Sequence, residues 1–173
     1  MKIVFLDAAT VGSDISFDEL RNLGETILYD YTSPEEVAAR IADAEIVITN
    51  KVKLFKEQID AAPNLRLICV AATGVNCVDV DYAKSLDIPV KNIPAYSTES
   101  VAQVIIMHIL NLVGHGLYFN EVVHSGTYSA SKRFTDLCRP FFELKGKKLG
   151  IIGMGNIGHR VATLAEAFGM QVC

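Results

Sequence analysis

The sequence predicts an α/β fold built on a mostly parallel sheet, and three observations carry that expectation. Short β-branched runs alternate with stretches of helical character throughout residues 1–95. Strand, helix, strand repeated in this way needs crossover connections, which lay helices on the sheet faces and keep the strands parallel. A further apolar run at residues 147–153 meets a Gly-x-Gly-x-x-Gly turn and passes directly into a second helical pattern.

The strand-like runs are "KIVFLD" (2–7), "ETILYD" (25–30), "EIVITN" (45–50), "LRLICVAA" (65–72) and "IPVKNI" (88–93). Between them, "SFDELRNLG", "SPEEVAARIADA", "LFKEQIDAAPN" and "VDYAKSLD" have helical character. Ser33-Pro34-Glu35-Glu36 sets one helix start: Ser33 suits the cap, Pro34 the first helical position, and Glu36 completes a capping box. Residues 1–95 are therefore assigned to a doubly wound α/β unit.

After Pro94 the pattern changes. Residues 97–123, "STESVAQVIIMHILNLVGHGLYFNEVV", read as one long apolar helix, opened by Ser97 before Glu99 and by Ser100 before Gln103. Apolar side chains surround nearly its whole circumference, which predicts burial between two domains or against a second copy. Residues 124–148 are polar and irregular, with Gly126, Pro140 and the exposed-looking Phe134, Phe141 and Phe142. Long aromatic loops are usually functional or interfacial. Residues 96–146 are thus read as an interdomain helix and dimer arm, with a homodimer formed through residues 97–145. A surface arm folded on its own domain is the plainer alternative. The final segment, 147–173, reads as strand, helix with Gly169 as its stop, and the start of a further strand.

Composition narrows the function. Half of the 173 residues are apolar, 21% are charged, and the formal net charge is −4. No basic field or aromatic-interleaved Lys/Arg cluster exists for nucleic acid, so no nucleic-acid partner is expected. No apolar run approaches the length of a membrane span, and "MKIVFLD" meets Asp7 too soon for a signal peptide, so the expectation is a cytoplasmic protein without a membrane partner. Cys69, Cys77, Cys138 and Cys173 have no C-x-x-C spacing and read as small apolar filler, with no metal site.

Two constellations carry chemistry. In "LGIIGMGNIGHR" (149–160), Gly153 would allow the tight turn, Gly155 would let backbone approach a pyrophosphate, and Gly158 would permit close helix-to-strand packing. The N–H groups of Asn156 and Ile157 would then face the anion at the positive end of the helix. No Gly-Lys-Ser/Thr follows, which excludes a P-loop. The acid that distinguishes NAD from NADP is expected about 20 positions further on, at or beyond Cys173. The second constellation is "VAATGVNCVDVDYA" (70–83), where Thr73-Gly74-Val75 makes a turn at a strand's carboxyl end and Asn76 and Asp79 stand ready to cap the next helix. In an open α/β sheet a small anionic substrate collects at such ends. Taken alone, this turn is an ordinary βα loop more often than a site.

Together, "CVAATGVNCVDVDYAKSLDIPVKNIPAYSTESVAQ", the long helix and "ELKGKKLGIIGMGNIGHRVA" resemble the NAD-dependent D-isomer-specific 2-hydroxyacid dehydrogenases. "LDAATVGSD", "ITNKVKL" and "YSTESVAQ" resemble the glycerate dehydrogenase (hydroxypyruvate reductase) branch of that family. The resemblance implies a flavodoxin-like substrate domain at residues 1–95 and the first β-α-β of a Rossmann domain at 147–173. It implies hydride exchange between NAD(H) and a small 2-hydroxy or 2-keto acid, with glycerate and hydroxypyruvate foremost. It also implies a chain nearly twice as long, whose catalytic histidine, glutamate and arginine come from the second half. No catalytic residue is therefore assigned here, and the 173-residue form is expected to lack reductase activity and to hold NADH weakly.

What transfers residue by residue is Thr73, Gly74 and Val75 as a carboxylate cradle, and Gly153, Gly155, Asn156, Ile157 and Gly158 as the cofactor turn, both facing one side. Lys51, in "TNK", is a further substrate candidate at another strand end, weighed against a plain solvated lysine. His108, His115, His124 and His159 read as structural, because none has a carboxylate placed to orient it as a base. A second class of function stays open: a non-catalytic, NAD-sensing, corepressor-like binding protein on the same fold.

Overall fold

The computed structural model describes residues 1–173, which form two compact units, Met1–Pro94 and Ala95–Cys173. In the first unit five strands form one sheet: β1 (Lys2–Phe5), β2 (Glu25–Leu28), β3 (Ile46–Thr49), β4 (Leu67–Val70) and β5 (Val90–Asn92). Their spatial order is β2-β1-β3-β4-β5 and every pairing is parallel. This is the flavodoxin-like order, with its topological switch between β1 and β3. The strands are shorter than the apolar runs, whose outer residues leave the ladder to enter turns.

Alternation along the strands divides the core between the two sheet faces. Val4, Leu6, Val47, Ile68 and Val70 point to one side, where they pack with Val37 and Ile41 of α2 (Val37–Ile41), Ile59 of α3 (Lys56–Asp60) and Ala83 of α4 (Val80–Ser85). Ile3, Phe5 and Ile48 point to the other side, against Phe17 and Leu20 at α1 (Asp18–Leu23). There the Phe5 and Phe17 rings meet edge to face with centroids 5.8 Å apart. Burying each such aliphatic side chain contributes about 1.5–3 kcal/mol, so the first face holds most of the unit's stability.

The capping expectations hold in part. Glu36 Oε2 accepts from the Ser33 N–H at 2.9 Å, the returning half of the capping box, while the Ser33 side chain makes no cap bond and the helix proper begins at Val37. Asp79 does cap α4, accepting from the Tyr82 N–H at 3.0 Å. Asn76 does not cap it.

In the second unit the expected single helix is two. Helix α5 (Thr98–Gly114) stops where His115 takes a left-handed conformation at φ 51°, and α6 (Gly116–His124) continues at 63° to it. Flanking Gly114 and Gly116 make this break cheap by removing side chains that an unbroken helix would order. The complete burial expected of this segment is not present within the chain. Ala102 and Ile106 are buried, whereas Val101, Val104, Met107, Leu110 and Leu112 are exposed. No single helix is long and apolar enough to cross a membrane. Residues 124–148 include a short helix, α7 (Thr127–Ala130), and leave Phe134 90% and Phe141 68% exposed.

The unit closes with β6 (Lys148–Leu149), α8 (Asn156–Ala167) and β7 (Gln171–Val172), the two strands pairing in parallel. The ladder continues past the strand ends, since Ile151 N–H donates to the Cys173 carbonyl at 2.9 Å. Gly169, at φ 74°, ends α8 as expected. Helix α8 lies on α5, where Arg160 Nε meets Glu99 Oε2 at 2.8 Å.

Candidate functional site

The candidate cofactor turn is built by local sequence. Gly153 sits at φ 98°, a conformation that side-chain-bearing residues rarely adopt. Gly158 is buried in the first turn of α8, and a Cβ there would collide with the Gly153 carbonyl oxygen. The glycine thus lets helix and turn touch. Gly155 differs: its φ of −81° suits any residue, and a Cβ would meet nothing within 4 Å. Its bareness answers no need of the protein's own packing and leaves the backbone open to close approach. The first intrahelical bond of α8 runs from His159 N–H to the Gly155 carbonyl at 3.0 Å, so the N–H groups of Asn156, Ile157 and Gly158 precede it. Residues 152–157 are all exposed. A positive helix end, bare backbone and free donors fit a dinucleotide pyrophosphate.

In the first unit, the carboxyl ends of β1, β3 and β4 surround a cleft of ≈ 1290 Å³, with Asp7, Lys51, Phe55, Val75 and Asn76 among its lining. Lys51 follows β3 after Asn50, and the residue is exposed at the cleft. Of the predicted carboxylate cradle, Val75 lines the cleft together with Lys51, whereas Thr73 and Gly74 stand outside it. Thr73 Oγ1 donates to the Ile93 carbonyl at 3.1 Å, and the Thr73 carbonyl accepts from Asn92 Nδ2 at 2.6 Å. Gly74 is exposed, with nothing within 4 Å of where a Cβ would stand, so its backbone is as open as that of Gly155.

The two loops are stitched together. Leu54 and Val78 form a parallel bridge, Leu54 N–H donating to the Cys77 carbonyl at 2.8 Å and Asp79 N–H to the Leu54 carbonyl at 3.0 Å. The Cys77 thiol points to the Asn50 carbonyl at 3.7 Å, and burial pushes its pKa above the ordinary thiol value. That thiol stays protonated near neutral pH and serves as a donor.

One participant was not singled out from the sequence. Asp7, only 3% exposed, accepts from the backbone N–H groups of Asn50 at 2.8 Å, Lys51 at 2.6 Å and Val52 at 3.2 Å. Its signal was legible: a carboxylate closing a wholly apolar strand run has to find donors or remain outside the core. The histidines join no site. His108, His124 and His159 are exposed, His115 sits at the α5–α6 break, and residues 1–94 contain none. No cluster of three or more His, Cys, Asp or Glu side chains is arranged to hold a metal ion.

A flavodoxin-like parallel sheet with a ligand-sized cleft at its switch point, in a chain that also carries a Gly-x-Gly-x-x-Gly turn, defines an α/β protein of the ligand-binding doubly wound class. Residues 3–166 match the family described as D-isomer specific 2-hydroxyacid dehydrogenase, catalytic domain, and the chain belongs to that family. It is 44% identical over 176 aligned positions to a hydroxypyruvate reductase of Blautia hydrogenotrophica, covering 99% of this chain and 55% of that protein. It is 36% identical over 172 positions to a glycerate dehydrogenase of Methylorubrum extorquens, covering 99% and 54%. Among solved structures, the D-lactate dehydrogenase of Aquifex aeolicus complexed with NAD and lactic acid superposes with a TM-score of 0.77 at 30% identity, over 98% of this chain and 50% of that one. The chain spans about half the length of these relatives.

Proposed function

We propose that this chain supplies the substrate-binding unit and the pyrophosphate turn of an NAD(H)-dependent D-2-hydroxyacid dehydrogenase, with glycerate and hydroxypyruvate as its acid pair. The observation that carries the reading is Gly155, whose backbone stands bare at a helix N-terminus although neither its φ nor its neighbours require glycine. The hydroxypyruvate reductase and glycerate dehydrogenase relatives support the choice of acid, and the NAD-bound D-lactate dehydrogenase supports the choice of cofactor. Bound at this turn, a nicotinamide dinucleotide would supply the hydride chemistry for C2 of the acid.

The chain's own residues bind and orient. Asn156 and Ile157 offer N–H groups to the pyrophosphate, and Gly153 and Gly158 shape the turn that presents them. Lys51 and Val75, which share the cleft, hold the carboxylate of the acid. Proton transfer belongs to groups outside this set, because none of the four histidines lies within residues 1–94 or beside the turn donors in an oriented pair. The 173-residue chain alone is accordingly proposed to be inactive.

The protein is proposed to act as a homodimer through residues 97–145, where Val101, Val104, Met107 and Leu110 recur every third residue along α5 and Phe134, Phe141 and Phe142 are exposed as well. Four unpaired cysteines support a reducing, cytosolic setting. The test compares this chain with the complete polypeptide by NADH oxidation with hydroxypyruvate and glyoxylate. Turnover by the complete polypeptide alone is expected. Turnover by the 173-residue chain would refute the assignment of its histidines, and NADH binding without turnover by the complete polypeptide would favour an NAD-sensing role.

A further inference from the structure

We propose that Asp7 is the positioning residue of the substrate cleft, acting through Lys51; this rests on the substrate reading above. In the strand order β2-β1-β3-β4-β5 the crevice opens between β1 and β3, and Asp7 stands at the β1 side of it. Its carboxylate reaches across and gathers all three successive N–H groups of the Asn50-Lys51-Val52 turn that follows β3. Oδ1 serves Asn50, and Oδ2 serves Lys51 and Val52.

Other polar groups of the turn are held as well. Thr49 Oγ1 donates to the Val52 carbonyl at 2.9 Å, and the Cys77 thiol faces the Asn50 carbonyl. Asn50 Nδ2 donates to Thr10 Oγ1 at 3.0 Å, and that hydroxyl donates to the Asp7 carbonyl at 2.6 Å. The Lys51 backbone is thus fixed while its side chain is left at the cleft. Successive N–H groups converging on one point form an anion nest, and here the anion is the protein's own carboxylate.

Burying a carboxylate costs free energy unless donors replace its water, so the arrangement persists only while the three N–H groups stay aimed at it. The constraint runs both ways. Asp7 satisfies the turn, and the turn cannot rotate Lys51 away without stranding Asp7. A preorganised cation binds a small carboxylate without first losing the turn's conformational freedom.

Asp7→Asn is nearly isosteric but puts an NH₂ donor where one oxygen accepted, so at least one N–H loses its partner. In the complete polypeptide it is expected to raise KM for hydroxypyruvate about tenfold, with kcat and KM for NADH within about threefold of the starting protein. Lys51→Met should raise the same KM, and adding Asp7→Asn to it should change KM by no more than about twofold, because residues acting through one contact are non-additive. Hydrogen exchange reads the anchor directly: the Lys51 and Val52 amides should be protected in the unaltered protein and lose protection in Asp7→Asn.

Fast exchange of those amides in the unaltered protein would overturn the proposal without any variant. Lost protection with an unchanged KM, an Asp7 effect that persists in full beside Lys51→Met, or a Lys51→Met protein with normal KM would each overturn the positioning role. If Asp7→Asn does not fold, Asp7→Ser, which keeps one acceptor and leaves room for water, takes its place with the same outcomes. An unaltered polypeptide inactive on every 2-keto acid would refute the enzyme reading itself, and is told apart because that activity is measured first.

Discussion

Replacing Gly158 with alanine tests the cofactor turn most sharply when paired with the same change at Gly155. At Gly158 the new methyl would run into the Gly153 carbonyl oxygen, and the obstacle is backbone, so α8 and the turn must move apart. Overpacking of this kind costs about 1–3 kcal/mol. Because the obstacle is backbone the cost falls at the upper end of that range, and alanine returns about 1 kcal/mol through its helix propensity, leaving a net loss of about 2 kcal/mol. That is roughly a 30-fold shift in the opening equilibrium of this element. At Gly155 the methyl meets nothing within 4 Å and the φ of −81° is ordinary for alanine. The stability loss there is the loss of a glycine N-cap, under about 1 kcal/mol.

The binding effect should run the other way in proportion. A methyl at Gly155 occupies the space a pyrophosphate needs, and NADH affinity should fall at least about tenfold, equivalent to 1.4 kcal/mol. Hydrogen exchange across α8 reads the first effect and NADH fluorescence titration of the complete polypeptide the second. Unchanged exchange in Gly158→Ala would refute the steric argument. Wild-type NADH affinity in Gly155→Ala would refute the assignment of this turn to the cofactor.

Two further outcomes follow from the second unit. Phe141→Asp combined with Phe142→Asp should shift the complete polypeptide from dimer toward monomer by light scattering at micromolar concentration; a monomer before substitution, or a dimer indifferent to it, would refute the arm's role. The Tyr118 hydroxyl donates to Asp136 Oδ2 at 2.9 Å, which pushes its pKa from the ordinary 10.0 up to about 12. Because the folded value is raised, this tie supports the arm below pH 10 and is lost as the pH rises through 12. Ultraviolet titration should show one tyrosine ionising last, returning toward the others in Asp136→Asn. Six tyrosines titrating together would refute it.

Much of the scaffold was legible in the sequence because its determinants are local. Five β-branched runs with helical spacers dictate a parallel sheet, since crossovers allow little else. Gly153, Gly158 and Gly169 announce a turn, a close packing and a helix stop through backbone needs that act within a few residues. Asp79 as a cap is equally local. The broken helix at His115 was missed because apolar periodicity persists through Gly114 and Gly116, and the break depends on a single left-handed residue.

Other features belong to the tertiary structure alone. Lys51 and Val75 lie 24 positions apart, and only the adjacency of β3 and β4 brings them to one cleft. Asp7 and the turn it anchors are separated by 43 to 45 positions, so no local pattern reports their contact. The sequence by itself determined that a carboxylate ends a buried strand and that a lysine follows another. Which donors that carboxylate meets was decided by strand order, because placing β1 against β3 sets the two carboxyl ends side by side and brings the turn after β3 onto Asp7.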